Sequence, residues 1–341
     1  MFSRTRKYIP LALIILATLG AEFMVSATDY RNSLVYSLII FAVALVVLSW
    51  AADIFAETAM RVGDHLGLSG LATGILIISL GTSAPEIFSS LGAIMNDSPD
   101  LVVGNVIGTI IANTLLGIGV AAVVSKTSMT VHEDVVGTQM AIFMGACVIV
   151  LLSFIDGRLS ILEAVLMVGV FFLYIGSSAK SGRDENHILE KLNKDDVISL
   201  SIGIICLILL FRSGDLVISS MISGAVLLGF SEIKVAATVL AIGTSIPEVA
   251  TAFSLARRGN VDAIFGEILG SNIIALMAIF GFGGIIATIA MPGMLLWFLL
   301  GSAMGTAILT YVIIADHKVN KLEGFMFLAI FAIWIQILID F

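Results

Sequence analysis

Charge is what this chain has least of. Only 12% of its 341 residues are Asp, Glu, Lys or Arg, where a soluble domain carries about a quarter. A surface that poor in charge does not face water, so a soluble globular protein is excluded. The net charge is −8 and no basic patch with interleaved aromatics is present, so nucleic acid is not an expected partner. Cysteine is reduced to Cys147 and Cys206, both inside apolar runs, which argues against a disulfide framework or a thiolate metal centre. The four histidines, His65, His132, His187 and His317, fall in or near expected loops and read as solvated side chains. No zinc-protease motif, nucleophile constellation or phosphate loop is found, so an enzyme is not expected.

What the chain does have is apolar length. It is 59% hydrophobic with a mean hydropathy of +1.11. Runs of roughly 20 residues recur, each long enough to cross a bilayer. They are continuous rather than alternating, which predicts helices and not barrel strands. Eleven membrane segments are predicted, at 9–27, 34–60, 68–95, 101–124, 137–154, 159–179, 197–225, 233–256, 262–288, 293–315 and 322–340. The first follows Arg4, Arg6 and Lys7 and ends near Val25-Ser26-Ala27, so it reads as an extra helix or a cleaved signal peptide. With the N-terminus in the cytoplasm, thirteen Lys and Arg residues fall inside and only Arg31, Arg158 and Lys234 outside. That bias predicts a multi-pass protein of the cell (plasma or inner) membrane, with residues 181–196 as a cytoplasmic linker.

The run Gly81-Thr82-Ser83-Ala84-Pro85-Glu86 recurs as Gly243-Thr244-Ser245-Ile246-Pro247-Glu248. The same offset of 162 relates Asp53 to Asp215, Gly104 to Gly266 and Gly108 to Gly270. Asp156 and Glu163 match Asp316 and Glu323 at an offset of 160. The expected organisation is an N-terminal helix or signal peptide (1–30), a first five-helix repeat (31–180), the linker (181–196) and a second five-helix repeat (197–341). Five is odd, so the second repeat enters the membrane from the opposite side. The expected fold is therefore an all-α multi-pass membrane protein of two inverted-topology five-helix repeats plus the N-terminal segment. Inverted repeats with broken helices and a midplane site belong to secondary transporters.

The repeated motif is unusual chemistry for an apolar run. A helical proline removes one backbone hydrogen bond and crowds the turn before it. A glutamate beside it is ionisable where water is scarce. Pro85 is expected to free the Gly81 carbonyl and to let its neighbours, Thr82 included, tilt off the axis. The hydroxyls of Thr82 and Ser83 and the carboxylate of Glu86 complete a cluster of oxygens. Thr244, Ser245 and Glu248 supply the same cluster from the opposite direction. Two facing oxygen clusters suit a hard cation. Calcium takes six to eight oxygens flexibly, while magnesium wants a stricter octahedron. Softer metals are poorly served without Cys or His nearby.

A second pattern follows each motif, Gly104-Asn105-Val106-Ile107-Gly108-Thr109 through Asn113, and Gly266-Glu267-Ile268-Leu269-Gly270-Ser271 through Ala275. Glycines four apart permit close helix contact. Thr109 and Asn113 share a helix face, as do Glu267 and Ser271. Elsewhere, Arg212 and Asp215 are spaced to pair on one helix. Asp53 has no such partner, since Trp50 stands at the place matching Arg212. Helix-to-helix bonding is the favoured role for these residues over gating.

At these residues the chain resembles the calcium/cation antiporter superfamily, most closely its sodium/calcium exchanger branch. The resemblance covers ten of the eleven segments and implies ten core helices in two inverted repeats with ions bound at the centre. It implies Glu86 and Glu248 as shared carboxylate ligands, with the backbone carbonyls of Thr82 and Thr244 helping to hold calcium. It implies the hydroxyls of Ser83, Ser245, Thr109 and Ser271 at flanking sodium sites, with backbone oxygens of Ser79 and Ala241. Asn113 matches a central polar position. Two departures stand out. The branch often carries an acid where this chain has Ala275, and usually Asn where this chain has Glu267. Glu267 lies about 12 Å along a helix from residue 275, so it does not simply replace that side chain. It reads either as an added cation ligand or as an interfacial acid at a helix start.

The expected function is secondary-active exchange of Ca2+ for Na+ by alternating access. Exchange of H+ for Ca2+ (or another divalent cation) is the alternative; a cation channel is a remote one, and a protease with paired carboxylates remoter still. Transported Ca2+ and Na+ (or H+) and the lipid bilayer are the expected partners, with no cofactor and no obligate protein partner.

Overall fold

The computed structural model describes residues 33–84, 86, 87, 90, 94, 100–182, 194–227, 243, 245–290 and 293–340. Pro85, Ala241, Thr244, the N-terminal segment 1–30 and positions 183–193 of the linker lie outside the described residues.

The described residues form ten helical columns. The first half holds α1 (Leu34–His65), α2 (Gly70–Thr82), α3 (Val102–Val124), α4 (Val135–Ser153) and α5 (Ile161–Ser181). The second holds α6 (Lys194–Leu227), α7 (Ile246–Arg258), α8 (Val261–Ile286), α9 (Met294–Ile314) and α10 (Lys321–Asp340). Among the described residues, eight of these are long and apolar enough to cross a membrane; the two short ones, α2 and α7, carry the repeated motif. α3 and α8 are buried along most of their length, whereas the other six long helices present much of their surface outward. Leu162, Leu173, Met294 and Leu322 are more than two-thirds exposed on those outer helices. Such an apolar exterior is the surface that lipid requires. Cys147 and Cys206 are buried free thiols, as their apolar setting predicts.

The halves interlock. α1 lies along α6, and α4 packs on α9. α3 packs on α10 of the other half, while α8 packs on α5. These last two contacts match at a backbone carbonyl. A methyl group on Gly119 would come 3.1 Å from the Gly324 carbonyl, and one on Gly281 would come 3.1 Å from the Ala164 carbonyl. π-helical turns fall at equivalent places, Ala112–Ile118 in α3 and Ile274–Ile279 in α8. At one end of the bundle β1 (Met129–Thr130) pairs antiparallel with β2 (Lys318–Val319); at the other end the Arg158–Ala290 bridge repeats that contact. Both fifth helices start on a reciprocal cap, Ser160 with Glu163 and Asn320 with Glu323. The pattern is that of two inverted five-helix repeats.

Asp53, without a partner on its own helix, finds one on α7. The Ser254 hydroxyl donates to its carboxylate at 2.5 Å, and Arg258 donates to its backbone carbonyl at 2.9 Å. Arg257 stands 3.8 Å from the same carboxylate, and Arg258 also lies 3.5 Å from Glu57. The inter-helix role expected for Asp53 is met, with the cations coming from the opposite half.

Candidate cation site

The backbone turns at the same residue of each motif. Ser83 ends α2 with φ −76° and ψ 2°, and Ser245 precedes α7 with φ −84° and ψ −1°. These values lie outside the helical well, in the sparsely used bridge region. From each serine a new helical segment begins, with Ile87 N–H donating to the Ser83 carbonyl at 3.1 Å and Val249 N–H to the Ser245 carbonyl at 3.0 Å. Pro247 therefore sits in the first turn of α7, where a missing N–H leaves no bond unmade. It starts a helix rather than cracking one. The expectation of a proline-broken helix interior is corrected to that extent, and its counterpart for Pro85 concerns a residue outside the description.

The break turns polar groups inward. Ser79, Thr82, Ser83, Glu86, Thr109, Asn113, Ser245, Glu248 and Ser271 are all buried, none more than 2% exposed. Ser79 and Thr82 bond back to the turn before, their hydroxyls donating to the carbonyls of Ile75 (2.5 Å) and Ile78 (3.2 Å). The Ser79 carbonyl accepts from the Ser83 N–H at 2.9 Å and keeps one lone pair for another partner. Both side-chain polar atoms of Asn113 and the hydroxyls of Ser245 and Ser271 are buried with no hydrogen-bond partner, and the buried Glu248 carboxylate has only the Thr82 hydroxyl beside it. Buried polar atoms are rarely left so. A set of mostly acceptor oxygens orphaned together is what a cation site looks like in its protein atoms alone.

Packing brings these residues to one place. α7 touches α8 and the π-helical turn of α3 that carries Asn113, and α8 packs against α2. Glu248 lies within Coulombic reach of Glu86 and Glu267. The α2–α8 contact is closest at glycine: a methyl on Gly266 would stand 2.3 Å from the Leu71 carbonyl, and one on Gly74 would stand 2.5 Å from the Ala263 carbonyl. Gly270 likewise meets Ser79, 2.7 Å from where a methyl would sit. The Gly-x-x-x-Gly spacing of the second half thus seats α8 on α2. At Gly104, its first-half counterpart, nothing among the described residues lies within 4 Å; positions 233 and 236, which the offset of 162 sets opposite it, lie outside them.

Glu267 is not an interfacial acid. It is the seventh residue of α8, fully buried, with both carboxylate oxygens unpartnered. The burial of its helix overrides the polar setting that a helix start suggests. Two residues outside the expected set also face this core. Asn272 donates to the Thr114 hydroxyl at 2.7 Å, tying α8 to α3, and leaves its own carbonyl oxygen buried and unpartnered. Their signal was in the sequence, as polar residues within two otherwise apolar spans, but their chain separation hid the pairing. Among the described residues, no three acidic, His or Cys side chains converge closely enough to chelate an ion unaided. An ion here must complete its shell from hydroxyl, amide and backbone oxygens.

The family model for the sodium/calcium exchanger protein matches residues 36–179 and 198–339, nearly all of both halves. The chain belongs to the sodium/calcium exchanger family. It is 29% identical over 256 residues to the inner membrane protein YrbG of Escherichia coli K12, covering 72% of this chain and 78% of that one. It is 24% identical over 347 residues to the sodium/calcium exchanger MaX1 of Methanosarcina acetivorans, covering 88% and 97%. Its fold superposes on the sodium-calcium exchanger NCX_Mj soaked with Na+ and Sr2+ with a TM-score of 0.78 at 25% identity, covering 89% of this chain and 99% of that one. This exchanger-family protein is therefore a multi-pass membrane antiporter of the cation/Ca2+ class, and its substrates are inorganic cations.

Proposed function

We propose that this protein exchanges Ca2+ for Na+ across the membrane by alternating access. One observation carries the reading: two buried glutamates, Glu86 and Glu248, each one residue after the proline of a repeated motif, lie within Coulombic reach of each other. Two carboxylates held in a dry interior repel each other and lack solvation; the effective penalty is several kcal/mol for each. One divalent cation relieves both. So do two or more sodium ions, and the choice between these loads is the basis of exchange. A core left without either load carries two like charges in a dry interior, and it resists the conformational crossing. That resistance suppresses leak.

The neighbouring oxygens take assigned roles. Glu86 and Glu248 bridge the central ion, and the Thr82 carbonyl, with that of Thr244, adds to its shell. Ser83, Ser245, Thr109 and Ser271 hold sodium on either side with the backbone oxygens of Ser79 and Ala241. Asn113 contributes amide oxygen or a bridging water. Access alternates as the α1/α6 pair slides against the glutamate-bearing helices.

The test is flux in vesicles of purified protein under separately imposed gradients. An outward sodium gradient should drive 45Ca2+ uptake at fixed pH. Uptake driven by a pH gradient alone, with sodium absent, would replace sodium by protons as the coupling ion. Sustained single-channel conductance in planar bilayers would replace the antiporter by a channel.

A further inference from the structure

Charged side chains gather where α7 ends. Asp53 and Glu57 of α1 meet Ser254, Arg257 and Arg258 of α7, and Arg61 donates to Glu57 from one turn along α1. Ser254 is fully buried at this contact, while Asp53 and Glu57 are half-buried. A cavity of about 660 Å3 opens at the same end, lined by Lys126, Arg257, Arg258 and Asp262 among others. The cluster thus closes the α1–α7 contact where that contact meets water.

The other half has no equal in its sequence. At the offset of 162, Glu57 and Arg61 become Ser219 and Ser223. Ser254, Arg257 and Arg258 correspond to Gly92, Met95 and Asn96. Of the charged positions only Asp53 keeps its charge, as Asp215. Inverted repeats exchange roles when access alternates. The contact that α1 makes with α7 in one state is then made by α6 with the segment after the first motif in the other. A tie present in one half alone weights the two states unequally.

We propose that Asp53, Glu57, Arg257 and Arg258 form a one-sided latch. It holds α1 on α7 at the end where α7 stops, and it parts each time the ion site opens to that side. The matching positions at the opposite end carry no such set, so the resting population favours the state closed at the latched end. This rests on the sliding of the α1/α6 pair in the exchange reading. The chemistry suits a contact that is made and broken. Half-exposed charges regain water when they separate, whereas breaking a fully buried ion pair strands its charges. Each exposed pair is weak alone, so the hold comes from the four charges and the buried Ser254 bond together.

The test locks the latch. Asp53→Cys combined with Ser254→Cys is oxidised with copper phenanthroline in vesicles of the full-length protein; the native Cys147 and Cys206 are buried. Oxidation should lower sodium-driven 45Ca2+ flux by at least about tenfold, and dithiothreitol should restore it, because a fixed α1–α7 contact holds one state. A mere tie between helices that never separate would transport equally well in both forms. A second measurement needs no disulfide. In nanodiscs, the buried thiol of Ser254→Cys should react with a water-soluble maleimide at least about fivefold faster once Asp53→Asn and Glu57→Gln are added, since the unlatched state is populated more often. Asp215→Asn, the match in the other half, should change that rate less than about twofold. The inference is overturned if the oxidised pair carries 45Ca2+ as fast as the reduced one, if removing the two α1 charges leaves the labelling rate unchanged, or if Asp215→Asn raises it equally. The exchange reading fails by a different result, wild-type vesicles without sodium-driven 45Ca2+ flux.

Discussion

The two halves of this exchanger-family protein agree at the proposed ion site and differ in what surrounds it. Ser83 and Ser245 share one backbone conformation within 8° in φ. Glu86 and Glu248 share complete burial, and the π-helical turns of α3 and α8 coincide. Away from these points the match lapses. Asp53 reaches across to Ser254 and two arginines of the other half, while Asp215 lies beside Arg212 of its own helix. Gly266 is pressed against a backbone carbonyl, and Gly104 meets no described residue within 4 Å. Asn105 is satisfied by Ser90, and Glu267 has no such partner. An ion lying between two halves asks the same of both. The packing around it need not be symmetric, because each half meets different neighbours.

The largest expected effect tests the agreement. Glu86→Gln and Glu248→Gln should each lower 45Ca2+ flux by at least about 100-fold while leaving the protein in the membrane, because each removes half of the charge that a divalent ion balances. If one variant keeps flux within about tenfold of wild type while the other is dead, the bridging role is not shared and the comparison breaks.

Next come the packing differences. Gly266→Ala drives a methyl into the Leu71 carbonyl, 2.3 Å away, with backbone rather than a flexible side chain in its path. It should lose about 1–3 kcal/mol or more in thermal unfolding in detergent. Gly104→Ala should change stability by less than about 0.5 kcal/mol. Equal losses would show that the first-half glycine is packed as tightly as the second.

The smallest effect concerns the two aspartates. Asp53→Asn weakens a charge-assisted bond from Ser254 and an ion pair, and should lower stability by about 1–2 kcal/mol. The Asp53 side chain is 30% exposed, so part of that loss should disappear in about 1 M salt, where the Debye length falls to about 3 Å. Asp215→Asn should lose only about 0.2–0.5 kcal/mol, the scale of a pair within one helix. A larger effect at Asp215 than at Asp53 would reverse the assignment of which aspartate ties helices together.

Much of this molecule was legible before any coordinates. Apolar runs of bilayer length force helices, because lipid offers the backbone no partner. An odd number of spans in each repeat forces inversion. The doubled Gly-Thr-Ser-x-Pro-Glu run names the candidate ligands directly. Three things were less legible. The helix break falls at Ser83 and Ser245 rather than at proline, since a proline is stable in the first turn of a new helix. Glu267 reads as a helix-start acid by position along the chain, yet α8 is wrapped on all sides. The Asn272–Thr114 and Ser254–Asp53 bonds join residues 158 and 201 positions apart, and no local pattern encodes such a pairing.

By itself, then, the sequence determined the solvent of this protein, its helical state, its internal duplication and the oxygen-rich chemistry of its repeated motif, because all of these follow from composition, run length and spacing within a single helix. Only the tertiary structure decided which buried oxygens keep partners and which are left over for an ion. That depends on what each helix meets across the interlocked halves: a hydroxyl opposite Asn105, none found for Glu267, and a carbonyl too close to Gly266 for any side chain.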